Sequence, residues 1–64
     1  MFKIGDIVRQ KQMMGKVYYA LIIDIKHNQH DMSLSRITAQ WINWHGEIVI
    51  LTQREAKIWW EKVS

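Results

Sequence analysis

The sequence predicts a small, mainly β domain of about five strands with a short C-terminal helix or helical turn. Apolar residues recur at every second position in several short segments, which is the spacing of half-buried strands. Turn-forming residues separate these segments. From Thr52 onward the apolar spacing changes to three and four residues, which is typical of a helix. Because the chain has only 64 residues, we expect one domain over residues 1–64.

Two strands are expected in the N-terminal half. The turn signal Gly5-Asp6 precedes the β-branched pair Ile7-Val8, which favours a strand. After the Met13-Met14-Gly15 segment, residues 17–25 are apolar at every odd position. We expect a strand here with its odd-numbered side chains buried. It should contain a bend, because nine residues exceed the usual strand length.

A hairpin is expected after the polar loop of residues 26–35. Alternation resumes at residues 36–44, and residues 47–51 form the returning strand, with the turn formers Asn43-Trp44-His45-Gly46 between them. On this pattern Ile48 and Ile50 face the core. The predicted core residues are Phe2, Ile4, Val8, Tyr19, Leu21, Ile23, Ile37, Ala39, Trp41, Ile48 and Ile50.

The C-terminal segment has two interpretations. Thr52 and Glu55 fit a capping box, and Ala56, Trp59, Trp60 and Val63 would then share one face of a helix. Alternatively, residues 52–57 form a single turn and residues 58–63 a short closing strand.

Composition narrows the class of protein. The chain has no cysteine, which excludes disulfides and thiolate zinc sites, and its formal net charge is +3. The N-terminus lacks the apolar core of a signal peptide. The longest apolar run, residues 18–23, is too short to cross a bilayer. We therefore expect a soluble, cytoplasmic protein that has no membrane partner.

Two motifs resemble those of small SH3-like barrels, the architecture of SH3, Tudor and KOW-type modules. Residues 2–9, FKIGDIVR, are similar to the apolar-x-apolar-G-D-x-V strand that opens many of them. Residues 37–41, ITAQW, followed by Gly46 resemble the V-x-V-x-W-x-x-G hairpin. The combination is most like short SH3-like proteins of tailed bacteriophages. The resemblance implies a barrel, located in the host cytoplasm or in the virion.

Catalytic chemistry is not expected. His27, His30 and Asp31 form the one cluster that could hold a metal, but a loop without periodic support more often leaves such residues solvated. The three glycines are isolated, so no phosphate-binding loop is present. We predict no enzymatic activity, no cofactor, no metal and no small-molecule substrate.

Binding to another protein is the leading functional prediction. The chain carries more large apolar side chains than a small barrel can bury, and exposed apolar clusters mark interaction sites. We expect a protein–protein docking module that binds a partner or a second copy, as an accessory or structural component of a phage particle. The predicted partner-binding residues are Met13, Met14, Tyr18 and Trp44.

Two alternatives remain open. The first is a nucleic-acid-binding, KOW-type barrel, in which Tyr18 and Trp44 would stack on bases. Its phosphate contacts would be Arg9, Lys11, Lys16 and Arg36. The second is a small phage-encoded inhibitor of a host protein.

Overall fold

The computed structural model describes residues 2–11, 15–43 and 45–63, which form one antiparallel five-stranded sheet and a short helix. The elements are β1 (Ile7–Gln10), β2 (Tyr19–Lys26), a 3₁₀ turn (Met32–Leu34), β3 (Arg36–Trp41), β4 (Ile48–Thr52), α1 (Gln53–Trp59) and β5 (Trp60–Lys62). The order across the sheet is β4-β3-β2-β1-β5. The predicted mainly β fold with five strands and a short C-terminal helix is confirmed.

The barrel that the SH3-like resemblance implies is not formed: the strand order leaves β4 and β5 as the two edges of an open sheet. The first four strands form a meander. The chain then passes through α1 and returns antiparallel beside β1, where Val8 is opposite Lys62. The two edges of the sheet therefore belong to the strands that flank the helix.

The core lies on one face of the sheet. Its buried apolar residues are Phe2, Val8, Ala20, Ile22, Ile37, Ala39, Ala56 and Trp60. On β2 the predicted buried face is wrong, because Ala20 and Ile22 point inward and Ile23 is exposed. Pairing of Ala20 with Val8 of β1 sets this face. A register shift after Ile22 then turns Ile25 toward the core.

The predicted buried face of β4 is also wrong. Ile48 and Ile50 are 52% and 58% exposed, whereas Val49 and Leu51 pack against the core. Ala39 is opposite Val49, and side chains directly opposite on paired strands share a face. The connection from β3 to β4 spans residues 42–47, which is longer than the predicted turn at residues 43–46. Ile4, another predicted core residue, is 62% exposed.

The C-terminal segment combines both sequence interpretations, a helix over Gln53–Trp59 and a closing strand over Trp60–Lys62. Because the helix ends at Trp59, the next side chain leaves the helical pattern and enters the core. The Trp60 ring meets the Phe2 ring edge-on at a centroid distance of 6.4 Å. Its Nε1 donates a hydrogen bond of 3.0 Å to Gln10 Oε1. Trp59 remains 44% exposed.

The predicted capping box is confirmed at the start of α1. Thr52 Oγ1 accepts from the backbone N–H of Glu55 at 3.2 Å, and Glu55 Oε1 accepts from the backbone N–H of Thr52 at 3.0 Å. We expect Thr52→Ala to lower the free energy of unfolding by about 1 kcal/mol, because an orphan backbone donor loses its partner. Urea denaturation followed by circular dichroism measures this. Thr52→Ser keeps the hydroxyl and should lose much less; an equal loss in both variants would contradict the cap.

Candidate protein-docking site

The predicted partner-binding residues are described only in part. Met13, Met14 and Trp44 lie outside the described residues. Tyr18 is half-buried, and its ring packs edge-on against Trp41, with centroids 6.1 Å apart and planes at 70°. Tyr18 therefore belongs to an aromatic pair at one end of the sheet, where β2 begins and β3 ends.

Asn43 ties together the two segments in which those residues occur. Its Oδ1 accepts from the backbone N–H of Tyr19 at 2.9 Å, and its Nδ2 donates to the backbone carbonyl of Val17 at 2.8 Å. The β1–β2 and β3–β4 connections leave the same end of the meander, so one amide side chain can reach both. Asn43 was predicted only as a turn former, because its partners are 24 and 26 residues away.

We expect Asn43→Ala to destabilise the chain by about 1–3 kcal/mol, since two hydrogen bonds are lost at about 0.5–1.5 kcal/mol each. Asn43→Asp keeps the acceptor for Tyr19 N–H but sets a carboxylate oxygen against the Val17 carbonyl. It should therefore also be destabilised. Urea titrations of the three proteins provide the comparison, and an unchanged midpoint for Asn43→Ala would show that the side chain does not hold the two segments together.

The edge strand β4 offers unpaired backbone groups. Trp41 N–H donates to the carbonyl of Glu47 at 2.9 Å, so the pair Trp41–Glu47 is hydrogen-bonded. In an antiparallel ladder hydrogen-bonded pairs alternate with non-bonded ones. Val49 is two residues after Glu47, so its N–H and C=O groups also point toward β3. Ile48 and Ile50 direct their N–H and C=O groups away from β3, to the open edge.

An apolar groove runs along the core side of the same edge. It has a volume of about 340 Å³ and is lined by Gln10, Val49, Leu51, Trp59 and Trp60. It lies between β4 on one side and α1, β5 and the end of β1 on the other. No charged side chain lines it. The groove lies between the two edges of the open sheet, β4 and β5, which would be paired in a closed barrel.

The opposite face of β4 is also apolar and exposed. Ile48 is opposite Gln40, and Ile50 is opposite Thr38, so both isoleucines share the outer face with polar residues of β3. Sequence reasoning missed this surface because it assigned both isoleucines to the core. Residues 48–51 are apolar at every position. That pattern shows that one apolar face of this strand must lie away from the core side of the sheet.

The four cations predicted to contact nucleic acid do not form one patch. Arg9 is ion-paired with Glu61, whose hydrogen bond and charge raise the pKa of Arg9. Lys11 Nζ donates to the carbonyl of Lys57 at 3.2 Å. Arg36 is opposite Lys26 at the other end of β2, whereas Arg9 is opposite Tyr19, so the two arginines are about 23 Å apart along the strand at 3.3 Å per residue. Lys16 is exposed.

The loop that carries His27 and His30 is organised by hydrogen bonds of Asp31. Asp31 Oδ1 accepts from the hydroxyl of Ser33 at 2.7 Å and from its backbone N–H at 2.9 Å. These bonds lower the pKa of Asp31 and cap the 3₁₀ turn. Within residues 2–11, 15–43 and 45–63, no three His, Asp or Glu side chains are grouped as metal ligands.

Comparison with known proteins gives no family assignment: no family model, curated protein or solved structure matches this chain. In the described part of the chain, no helix combines the length and apolar character that crossing a membrane requires.

Proposed function

We propose that this chain is a non-enzymatic protein–protein docking module that receives an extended segment of a partner protein along β4. The observation that carries the proposal is the combination at one edge of outward backbone groups at Ile48 and Ile50 with an adjoining apolar groove. An added strand obtains affinity from main-chain hydrogen bonds and specificity from pockets for alternate side chains.

The geometry determines what such a segment would contain. Successive side chains of a strand point to opposite faces. Alternate residues of the bound segment would therefore enter the groove beside Val49 and Leu51, while the others would extend the outer face beside Ile48 and Ile50. Both surfaces are apolar, so the segment is expected to carry β-branched or aromatic residues. The indole of Trp59 is available to pack on it, being 44% exposed.

We retain Met13, Met14 and Trp44 in the proposal as residues that would contact one end of the bound segment. Trp44 precedes β4 by four residues in the sequence. The connections that contain all three residues leave the end of the sheet from which β4 starts. A bound segment that passes Ile48 would reach this end, and Trp44→Ala is expected to weaken its binding.

The likeness to SH3-like proteins of tailed bacteriophages extends the proposal to an accessory or structural component of a phage particle. The order of elements, a four-stranded meander followed by a short helix and a fifth strand beside the first, bears only on the SH3-like part of that likeness. Detection of the chain by mass spectrometry in purified particles would support this role. Its absence from them would contradict it and would leave the strand-addition site to be judged separately.

The docking proposal can be tested with a displayed library of random linear peptides selected on the purified chain. Enriched peptides should carry β-branched or aromatic residues at successive positions, and binding of a synthetic copy should slow hydrogen exchange at the amides of Ile48 and Ile50. Peptides that instead protect a different part of the chain, or that bind with equal affinity to Ile50→Pro, would contradict the proposal. If the chain instead formed a stable dimer through β4, the occupant of this edge would be a second copy of the chain.

A further inference from the structure

A second cleft lies at the end of the sheet opposite the Tyr18–Trp41 pair. It has a volume of about 450 Å³ and is lined by Lys26, His27, Asn28, Leu34, Arg36 and Thr52. These residues come from the ends of β2 and β4, the start of β3 and the loop between β2 and β3. Its lining contains a lysine, an arginine and an imidazole, and no carboxylate.

Two like charges face each other across this cleft. Lys26 and Arg36 are directly opposite on neighbouring strands, an arrangement that is destabilising unless something neutralises it. The ion pairs of the described residues are Arg9–Glu61 and Lys62–Asp6, neither of which is at this cleft. Asp24 is two residues before Lys26 on β2 and is opposite Thr38. It forms no ion pair with Lys26 or Arg36.

The walls of the cleft are held in place by a buried serine. Ser35 Oγ accepts from the backbone N–H of Asn28 at 2.9 Å, and the Ser35 carbonyl accepts from Gln53 N–H at 2.8 Å. Ser35 is fully buried. It therefore joins the loop after β2 to the start of α1 beside Arg36, so the backbone around the cleft is held in place before any ligand arrives.

We propose that this cleft binds a phosphate monoester. A phosphate dianion between Lys26 and Arg36 would neutralise both charges. The guanidinium can donate two parallel hydrogen bonds to it, and His27 can supply a further N–H donor. The volume falls in the range of small-molecule sites, about 300–1,000 Å³, so free phosphate would leave space beside Leu34. The exposed Leu34 side chain gives an organic group an apolar surface.

This site is independent of docking at Ile48 and Ile50, because its proposed ligand contacts are on β2, β3 and the intervening loop, and β4 contributes only Thr52 at its far end. The Ile50→Pro variant should therefore retain phosphate binding, and loss of either activity can be recognised without the other.

The test uses phenyl phosphate, inorganic phosphate and sodium chloride at matched ionic strength, with binding followed by NMR and by thermal unfolding. We expect phenyl phosphate to shift the amides of residues 26–28 and 34–36, to raise Tm more than chloride does, and to bind more tightly than inorganic phosphate. Arg36→Gln should weaken it by about tenfold or more, since a charge-assisted hydrogen bond is lost. Lys16→Gln removes the same charge at the other end of the molecule and is the matched control.

Lys26→Gln distinguishes a ligand site from a solvated cation pair. Removing one of two opposed charges should raise Tm in the absence of phosphate and abolish the additional stabilisation that phenyl phosphate gives. Equal effects of chloride and phenyl phosphate, or equal weakening by Lys16→Gln, would overturn the proposal. Equal affinity for inorganic phosphate and phenyl phosphate would overturn the monoester assignment.

Discussion

Replacing Trp60 with alanine is expected to unfold the chain at room temperature without denaturant. Trp60 is the largest fully buried side chain, at 2% exposure, and it joins Phe2 to Gln10. Tryptophan-to-alanine changes in a core cost about 3–5 kcal/mol. At about 0.05–0.15 kcal/mol per residue, the whole chain has about 3–10 kcal/mol of stability. Domains of this size are only marginally stable, so the chain is expected at the low end of that range, where one such substitution removes most of the stability.

Trp59→Ala is the matched control, because it removes the same side chain from the adjacent position. Trp59 is 44% exposed, so its loss should leave a cooperative unfolding transition with a midpoint close to that of the parent chain. Far-ultraviolet circular dichroism during urea titration measures both variants. Comparable destabilisation of the two would show that the distinction between a buried Trp60 and a partly exposed Trp59 is incorrect.

Local patterns in the sequence predicted local structure well. Thr52 and Glu55 are three residues apart, so their reciprocal hydrogen bonds depend on a few backbone angles and could be read directly from the sequence. The predicted turn at His45-Gly46 is likewise confirmed, with φ values of 55° and 66°. Each of these features depends only on residues that are at most a few positions apart in the sequence.

Features that depend on pairing between distant strands were not predictable in the same way. Residues 18–23 are apolar at every position, so alternation could not decide whether Ala20 or Leu21 is buried. The register with Val8 decides it. The final helical residue determined which tryptophan enters the core, and helix ends are the least reliable feature of a sequence pattern. The cationic cleft was missed because Lys26 and Arg36 are ten residues apart and meet only through the β2–β3 register.

Proline substitutions at adjacent positions of β4 should have opposite outcomes. Val49→Pro is expected to destabilise the chain by at least about 3 kcal/mol, because it removes a ladder N–H, leaves the Ala39 carbonyl without its donor and opens space beside the core. Ile50→Pro should cost far less. Its N–H points to the open edge, and proline is tolerated where that group is not part of the ladder. Urea denaturation of both variants gives the comparison.

The same pair links the fold to the proposed function. Ile50→Pro should fold and yet lose the selected peptides, because an added strand needs the N–H of Ile50. Ile50→Thr removes much of the apolar side chain but keeps the N–H, so it separates main-chain pairing from side-chain contact and should retain most of the affinity. If Ile50→Pro unfolds as readily as Val49→Pro, the assignment of outward backbone groups on β4 is wrong. Strand addition at that edge would then have no basis, because the site consists of those unpaired groups together with the groove beside them.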